Sequence, residues 1–454
     1  MTVANNTLVQ KKSDANLSSF SFKSLNLDPK NFNVEDFWQA IDHLENTTGA
    51  QFIRMDFGVP GLRTLPNCID VQKSNISNGI TARAYPPHIG TESLRREMSV
   101  FINDRTHLRF TKKNLFATCG GTQALYVAQA LAIGIQNNKD SILYLTPGYP
   151  PMLSQGKSLG KKILCIDTTF YRDNELVEQI QEHFAQHKIA AIVWASPSNP
   201  LWSILSPKEL AAIAQLCEKY QVTPIEDMTY LGMLTQDNGN IFKIPSIGQF
   251  TSKYLMVFSS SKILSYAGER IGLIGISDGL QHETYPDLEH LFSTQSIQKA
   301  CATFIFNTTA GAPHSAQHAV ADTLKKINNR EINIELELNR YSTRSKFFKE
   351  LLTASGFTLL EQKPPLANHK VIPLTNVNHL DPTHSIYLPN DGFYVCFYHK
   401  NYTSFELTLK LLNLGITVLP LSSFHSGHTQ GVRACVGRAS IKALNQFKNR
   451  LHNF

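Results

Sequence analysis

Between residues 90 and 330 the sequence alternates short apolar runs with stretches of helical spacing. The apolar runs are SILYLT (141–146), AAIVWAS (190–196), TPIED (223–227), YLMVFSS (254–260) and IGLIGIS (271–277). Parallel strands need crossover connections, and helices in those connections cover both faces of the sheet. The alternation therefore predicts an α/β fold whose mostly parallel sheet lies between two layers of helices.

The start of one helix can be located from three residues. Ser206 is a favourable N-cap, Pro207 suits the first helical position, and Glu209 can complete a capping box with the serine. Apolar residues recur at helical spacing after this point. We therefore predict a helix from 207 to about 220.

After about residue 330 the pattern changes to a long charged helix followed by shorter strand-like runs. These runs are KVIPL (370–374), GFYVCFY (392–398), ITVLP (416–420) and VRACVG (432–437), with helices near 403–414 and at the C-terminal end. We predict a large domain over residues 56–329 and a smaller α+β domain formed by residues 34–55 and 330–454. Residues 1–33 are polar and are predicted to form a flexible N-terminal arm.

Charge and composition exclude several classes of protein. The 454 residues carry a net charge of +7 that is scattered along the chain, which disfavours a nucleic-acid partner. No apolar run reaches about 18 residues, and the beginning MTVANNTLVQKKSDANLSSF lacks the apolar stretch of a signal peptide. We therefore expect no membrane span and a cytoplasmic location. The seven cysteines form no Cys-x-x-Cys pair, so neither a metal site nor a disulfide framework is indicated.

The segment SSSKILSYAGERIG, which begins at Ser259, carries groups that pyridoxal phosphate chemistry requires. Lys262 follows three serines, Arg270 lies eight residues further on, and Asp227 and Tyr230 form an Asp-x-x-Tyr pair upstream. A lysine amine can form a Schiff base with the cofactor's aldehyde. Hydroxyls and a guanidinium can hold its phosphate, a carboxylate can pair with the ring nitrogen, and a phenol can contact the ring oxygen.

A further phosphate contact is predicted in the segment ATCGGTQAL. Gly121, Thr122 and Gln123 open a helix there, and backbone amides at a helix N-terminus attract anions. Ser259 and Ser261 would add hydroxyls from the lysine segment, with Ser259 preferred as the direct contact.

The order and spacing of these motifs resemble the class I and II aminotransferases, which are fold-type I pyridoxal phosphate enzymes of the aspartate aminotransferase superfamily. The resemblance runs from about Asp56 to the terminal helix. It implies a seven-stranded sheet, pyridoxal 5′-phosphate as cofactor, and transfer of an amino group between an α-amino acid and a 2-oxo acid. Lys262 would carry the cofactor as an aldimine and move the substrate's α-proton, with Asp227 and Tyr230 completing the catalytic group.

The resemblance also assigns residues to the cofactor ring and to the substrate. Tyr149 in TPGYPPM would stack on the ring, and Asn199 in ASPSNPLWS would contact the ring oxygen and the substrate carboxylate. Arg433 in GVRACVG would bind the α-carboxylate, and Gly58 in FGVPGL would line the same pocket. Arg438 is close enough in sequence to compete with Arg433 for this assignment.

One residue points to quaternary structure. Tyr85, in ARAYPPHIG, is similar to the tyrosine with which family members reach the neighbouring active site. The resemblance therefore implies a homodimer with shared active sites.

One loop departs from the family's pattern. The family follows Asn-Pro with a Thr-Gly pair, whereas Asn199 and Pro200 are followed here by Leu201 and Trp202. We expect this change to alter the turn and to bring an aromatic side chain towards the active-site entrance.

The sequence leaves two alternatives open. Lyases, cyclases, decarboxylases and racemases share this cofactor cup, and the altered loop keeps such a specialised biosynthetic reaction open, although Arg433 argues against simple decarboxylation. A ligand-sensing module attached to a DNA-binding domain is disfavoured, because the N-terminal arm has no recognisable helix-turn-helix. The preferred amino acid cannot be read, since no second arginine is identifiable that would commit the pocket to a dicarboxylic substrate.

Overall fold

The computed structural model describes residues 20–29, 32–234, 242–360, 392–452 and 454. The strands in this part of the chain are β1 (Ile53–Arg54), β2 (Leu115–Cys119), β3 (Ser141–Thr146), β4 (Lys162–Asp167), β5 (Ile189–Ala195), β6 (Thr223–Asp227), β7 (Leu255–Ser259), β8 (Ile271–Ile276), β9 (Thr358–Leu359), β10 (Tyr394–Tyr398), β11 (Ile416–Thr417), β12 (Leu419–Pro420) and β13 (Val432–Cys435).

The helices in the same residues are α1 (Val34–Thr48), α2 (Pro66–Ser77), α3 (Ile80–Arg83), α4 (Glu92–Arg105), α5 (Gly120–Gly134), α6 (Pro150–Ser158), α7 (Asp173–Gln186), α8 (Pro207–Tyr220), α9 (Ser260–Ile263), α10 (Asp278–Gln281), α11 (Leu288–Phe292), α12 (Ile297–Thr309), α13 (His314–Asn328), α14 (Ile334–Ala354), α15 (Ser404–Asn413) and α16 (Ile441–Leu451). None of the helices described is long and apolar enough to cross a membrane.

A seven-stranded sheet forms the centre of the fold, in the order β2-β8-β7-β6-β5-β3-β4. β8 runs antiparallel to both of its neighbours, and the other neighbouring pairs are parallel. This arrangement confirms the predicted α/β class and the mostly parallel sheet. The carboxyl ends of the parallel strands therefore meet at one edge, where ligands of such sheets commonly bind.

Successive residues of each strand pack against opposite layers of helices. In β3, Ile142 and Tyr144 belong to a core shared with α5, α6 and α12, whereas Leu143 and Leu145 belong to a second core shared with α4, α7, α8 and α13. Because both faces are covered, the strands are apolar along nearly their whole length. Each large apolar side chain buried in this way stabilises the fold by about 1.5–3 kcal/mol.

The predicted start of α8 is confirmed in detail. The Ser206 side chain accepts a hydrogen bond from the Glu209 backbone nitrogen at 3.2 Å, and the Glu209 carboxylate accepts one from the Ser206 backbone nitrogen at 2.7 Å. Glu209 also pairs with Arg172 at 2.8 Å, which joins the starts of α7 and α8. Glu209 therefore both caps α8 and connects it to the start of α7.

A second, four-stranded antiparallel sheet has the order β12-β13-β10-β9, and β1 pairs with β11 beside it. Helices α14, α15 and α16 pack on these strands around the buried rings of Phe348, Phe397 and Phe447. The predicted strand-like run KVIPL at 370–374 lies outside the described residues. The domain boundaries at 55/56 and 329/330 stay a prediction.

The described part of the predicted N-terminal arm lies against the smaller sheet's helices. The Phe20 backbone nitrogen donates to Asn413 Oδ1 at 2.6 Å, and Leu27 is buried in a cluster with Phe37 and Leu412. Residues 1–19 lie outside the described residues. The chain then enters α1, whose N-cap Asn33 accepts hydrogen bonds from the first turn.

Candidate active site

A cavity of about 900 Å³ opens at the carboxyl edge of the large sheet and extends to the smaller sheet. Twelve of the residues singled out from the sequence line it: Gly58, Gly121, Thr122, Tyr149, Asn199, Asp227, Tyr230, Ser259, Ser261, Lys262, Arg270 and Arg433. Gln123 and Tyr85 do not line it. The fold thus gathers into one cavity residues that are separated by as many as 375 positions, from Gly58 to Arg433.

Lys262 lies on the short helix α9, directly after β7. Its Nζ donates a hydrogen bond to the backbone oxygen of Gly58. Burial lowers the pKa of Lys262 to about 8, and the nearby positive charges of Arg433 and Arg270 act in the same direction. The neutral fraction of this amine near physiological pH is therefore far larger than that of an ordinary lysine, which favours it as a nucleophile and base.

Asp227 ends β6 and is buried in the floor of the cavity. Its Oδ1 accepts hydrogen bonds from the backbone nitrogen of Thr229 at 3.0 Å and from the Thr229 hydroxyl. Burial raises the pKa of Asp227 to about 6, although both hydrogen bonds and the charge of Lys262 oppose this rise. Such a carboxylate can stabilise a protonated ring nitrogen placed beside it.

An anion-binding corner lies at the start of α5. Gly120 has φ +81°, and a Cβ there would overlap the Arg270 guanidinium, so the close approach of these two segments requires glycine. Arg270 has no carboxylate partner within 4 Å among the described residues, and its Nη1 donates to the Ala267 backbone oxygen at 2.8 Å. Ser259 Oγ donates to Ser261 Oγ at 2.9 Å beside it. A guanidinium, hydroxyls and a helix N-terminus together suit a phosphate.

Gln123 has a different environment from the one predicted. Its Oε1 accepts from the Cys119 backbone nitrogen at 2.6 Å, and its Nε2 donates to the hydroxyls of Thr308 and Thr309. The side chain therefore braces the start of α5 against α12. Its side-chain amide is already engaged, and a phosphate contact at Gln123 stays a prediction.

Arg433 lies on β13 with 2% of its surface exposed. Its Nη2 donates to the Asp56 backbone oxygen, its Nη1 lies 3.5 Å from Asn199 Oδ1, and its buried Nε has no partner. No carboxylate of the described residues lies within 4 Å of this guanidinium. A buried cation with spare donors is costly unless an anion joins it, so the geometry favours a carboxylate ligand here.

Glycine at position 58 makes room beside this guanidinium. A Cβ on Gly58 would lie 2.5 Å from Tyr394 Oη and 3.2 Å from Arg433 Nη1. Arg438, the competing candidate, is exposed, does not line the cavity, and lies over the Phe57 ring at 5.9 Å. The structure therefore favours Arg433 over Arg438.

Tyr394 also lines the cavity and was missed by the sequence reasoning. Its hydroxyl lies 2.7 Å from that of Tyr230, and its ring lies 4.8 Å from Arg433 Cζ. The signal that could have found it is strand register, because Cys396 lies opposite Arg433 and Tyr394 is two residues away on the same face. Tyr149 is nearby, with its hydroxyl 3.4 Å from Thr122 Oγ1.

The altered loop does not place an aromatic at the entrance, so that expectation is wrong. Trp202 is 4% exposed, does not line the cavity, and packs against Tyr230, Phe393 and Tyr394 behind it. Its φ of +59° keeps the left-handed turn that a glycine would provide. The position of Trp202 therefore gives no support to a specialised lyase or cyclase reaction.

Tyr85 lies apart from the cavity of its own chain and is 85% exposed. In the part of the chain that the structure describes, no group of three or more His, Cys, Asp or Glu side chains could hold a metal ion.

The chain matches the family model of the class I and II aminotransferases over residues 51–450, and it therefore belongs to this family. It is an enzyme of the aminotransferase type. A probable aspartate aminotransferase of Methanocaldococcus jannaschii is 27% identical over 293 residues, which cover 64% of this chain and 74% of the relative. An aspartate/prephenate aminotransferase of Thermus thermophilus is 23% identical over 413 residues, or 88% and 91% of the two chains.

Solved structures share the fold. A mutant of Thermus thermophilus aspartate aminotransferase superposes with a TM-score of 0.73 at 20% identity, covering 96% of this chain and 99% of that one. An aminotransferase from Mycobacterium tuberculosis gives a TM-score of 0.72 at 19% identity, covering 92% and 95%. These neighbours confirm the fold-type I architecture.

Proposed function

We propose that this aminotransferase uses pyridoxal 5′-phosphate, held at Lys262, to move an amino group from an α-amino acid to a 2-oxo acid in two half-reactions. The observation that carries the proposal is that Lys262, the Asp227 carboxylate and the anion-binding corner at Arg270 line one cavity. When bound, the cofactor would supply an aldehyde that takes up amino groups and a ring that stabilises negative charge on the α-carbon.

The residues of the cavity divide between three tasks. Asp227 would hold a proton on the ring nitrogen, and Tyr230 and Asn199 would donate to the ring oxygen. Phosphate binding would use Arg270 with the hydroxyls and amides of Gly121, Thr122, Ser259 and Ser261. The Tyr149 ring would cover the cofactor's face.

Arg433 and Asn199 would hold the substrate's α-carboxylate. A substrate held there would have its α-carbon near Lys262 Nζ, which would remove the α-proton and return it to the cofactor carbon. Because its pKa is lowered to about 8, this amine has a larger unprotonated fraction at neutral pH than an ordinary lysine, as a base requires. The low exposure of Asp227, Asn199 and Arg433 would exclude water around the reacting atoms.

The visible absorption spectrum of the purified holoenzyme tests this proposal. Adding an amino acid without a 2-oxo acid should bleach the aldehyde form of the cofactor and release the corresponding 2-oxo acid. Lys262→Ala should lose turnover by about 10⁴-fold or more, since it removes both the covalent anchor and the base. Lys253→Ala, at an exposed lysine outside the cavity, is the matched control and should keep full activity. Residual transamination in Lys262→Ala near the wild-type rate would contradict the proposal.

The proposal includes a homodimer in which Tyr85 reaches the neighbouring active site. An exposed tyrosine that does not line its own cavity supports this part. Mixing Lys262→Ala chains with Tyr85→Ala chains should restore activity in mixed dimers, because one of their two sites would keep both residues. Sedimentation of the wild type as a monomer would contradict it.

A cytoplasmic location is the remaining part of the proposal. All seven cysteines are free thiols, which supports a reducing compartment. Fractionation of the source cells, with detection of the protein by antibody, tests it.

A further inference from the structure

The proposed chemistry uses every strongly basic side chain that the structure places at the cavity. Lys262, Arg270 and Arg433 are the lysine and arginines of the described residues that line it, and they would hold the cofactor and the α-carboxylate. His425 also lines the cavity, but burial lowers the pKa of its imidazole, so it is uncharged at neutral pH. Within one chain, the described residues therefore offer no further lysine or arginine at the cavity that would compensate a second, desolvated substrate carboxylate.

One part of the wall that has no task in the proposed chemistry is apolar and aromatic. α1 and the residue before its N-cap contribute Phe32, Val34 and Trp38, and Phe57 follows β1. The Trp38 ring stacks on Phe57 with centroids 4.3 Å apart and planes at 22°. The Phe424 ring lies 4.9 Å from Arg433 Cζ, so this wall begins directly beside the proposed carboxylate clamp.

The acidic groups at the same wall act against an anionic side chain. Glu35 lines the cavity from the first turn of α1 and is exposed. Asp56 is compensated by Arg54, which lies 3.1 Å away and outside the cavity. Glu35 therefore adds a carboxylate to this wall, whereas the arginines nearest the Phe57 ring, Arg54 and Arg438, do not line the cavity.

We propose that the amino donor is an α-amino acid with a large apolar or aromatic side chain, and that dicarboxylic amino acids such as aspartate are poor donors. The inference rests on the proposed function, because it assumes that Arg433 binds the substrate's α-carboxylate. An apolar side chain extending from there would pack between Phe424 and the Trp38–Phe57 pair. This preference would distinguish the chain from relatives whose names refer to aspartate.

Binding of unreactive acids to the holoenzyme tests the proposal without catalysis. Titration calorimetry should give an affinity for 3-phenylpropanoate at least about 10-fold higher than for succinate. Trp38→Ala should lower the affinity for 3-phenylpropanoate by about 10-fold and leave that for succinate unchanged. Succinate binding as tightly as 3-phenylpropanoate to the wild type would overturn the proposal.

A charge introduced into the wall provides a test that does not depend on removing a packed ring. Val34→Arg, at the half-buried first residue of α1, should raise the affinity for succinate by about 10-fold and lower that for 3-phenylpropanoate. Gln39→Arg places the same charge on an exposed position of α1 outside the cavity and is the matched control. Equal responses of the two variants would show that Val34 does not face the substrate and would overturn the proposal.

The spectral half-reaction separates this inference from the proposed function. Bleaching by phenylalanine or leucine but not by aspartate would support it. Bleaching by aspartate alone would refute the proposed apolar or aromatic donor, while the proposed transamination would still be supported. If no amino acid of either kind bleached the cofactor, the proposed function would fail, and this inference with it.

Discussion

The hydroxyl of Tyr230, which follows β6 of the large sheet, lies 2.7 Å from the hydroxyl of Tyr394, which begins β10 of the smaller sheet. Burial raises the pKa of both phenols, so both keep their protons at physiological pH. The pair therefore joins the two sheets by one neutral hydrogen bond at the cavity. It also orients the phenol that we propose to contact the cofactor's ring oxygen.

We expect Tyr394→Phe to lower kcat/KM by about 3–10-fold, since it removes one buried hydrogen bond while keeping the ring. Steady-state kinetics of the holoenzyme would measure the loss. The control is Tyr398→Phe on the same strand, at a half-buried position outside the cavity, which should stay near wild type. Equal kinetics of Tyr394→Phe and wild type would show that the bond does not position Tyr230.

We expect uptake of pyridoxal phosphate by the apoprotein to accelerate as the pH rises from about 7 to about 9. The neutral amine is the nucleophile, and burial lowers the pKa of Lys262 to about 8, so its neutral fraction rises over this range. Stopped-flow absorbance would give the rate at each pH. Pyridoxamine phosphate, which has no aldehyde, should bind without this acceleration. A midpoint near 10.5, the ordinary lysine value, would contradict the burial of Lys262.

Arg433→Met should raise KM for the amino acid and lower kcat/KM by about 10–100-fold, because it removes a charge-assisted, two-pronged contact with the carboxylate. Arg438→Met removes the same charge five positions away at an exposed site, and it should change kcat/KM by less than about 3-fold. The comparison is measured by steady-state kinetics with one amino acid. A large loss in Arg438→Met together with a small change in Arg433→Met would show that Arg438, and not Arg433, binds the carboxylate.

Trp202→Gly should lower the free energy of unfolding by about 1–4 kcal/mol. Removing the buried ring leaves a cavity that costs about 3–5 kcal/mol, and glycine recovers about 1–2 kcal/mol of strain at φ +59°. Denaturant unfolding monitored by circular dichroism measures the difference. Gln221→Gly, at an exposed residue with φ +54°, isolates the strain component and should be stabilising. A Trp202→Gly protein as stable as wild type would show that the ring's packing energy does not exceed the backbone strain that glycine relieves.

Features set by local sequence could be predicted, whereas features set by distant packing could not. The α8 capping box depends on residues three positions apart, and the apolar strands are marked by their own composition, so the sequence indicated both. Tyr394 depends on the pairing of β10 with β13, which joins residues about forty positions apart without a local signal. Trp202 was misplaced because its burial depends on Phe393 and Tyr394, which lie far along the chain. Trp38 lines the cavity because α1 packs near Phe424, a contact across almost the whole chain.

The reversal of β8 determines how the cofactor's two anchors are connected. Because β8 runs against β7, the chain returns from Lys262 to Arg270 at the same sheet edge without crossing the fold. A parallel strand would begin at the opposite edge and would require a full helical crossover. Lys262, which would bind the cofactor covalently, and Arg270, which would bind its phosphate, therefore lie on one short segment of the chain. A shift of this segment would move Lys262 and Arg270 together, and their spacing would continue to match that of the cofactor groups they would hold.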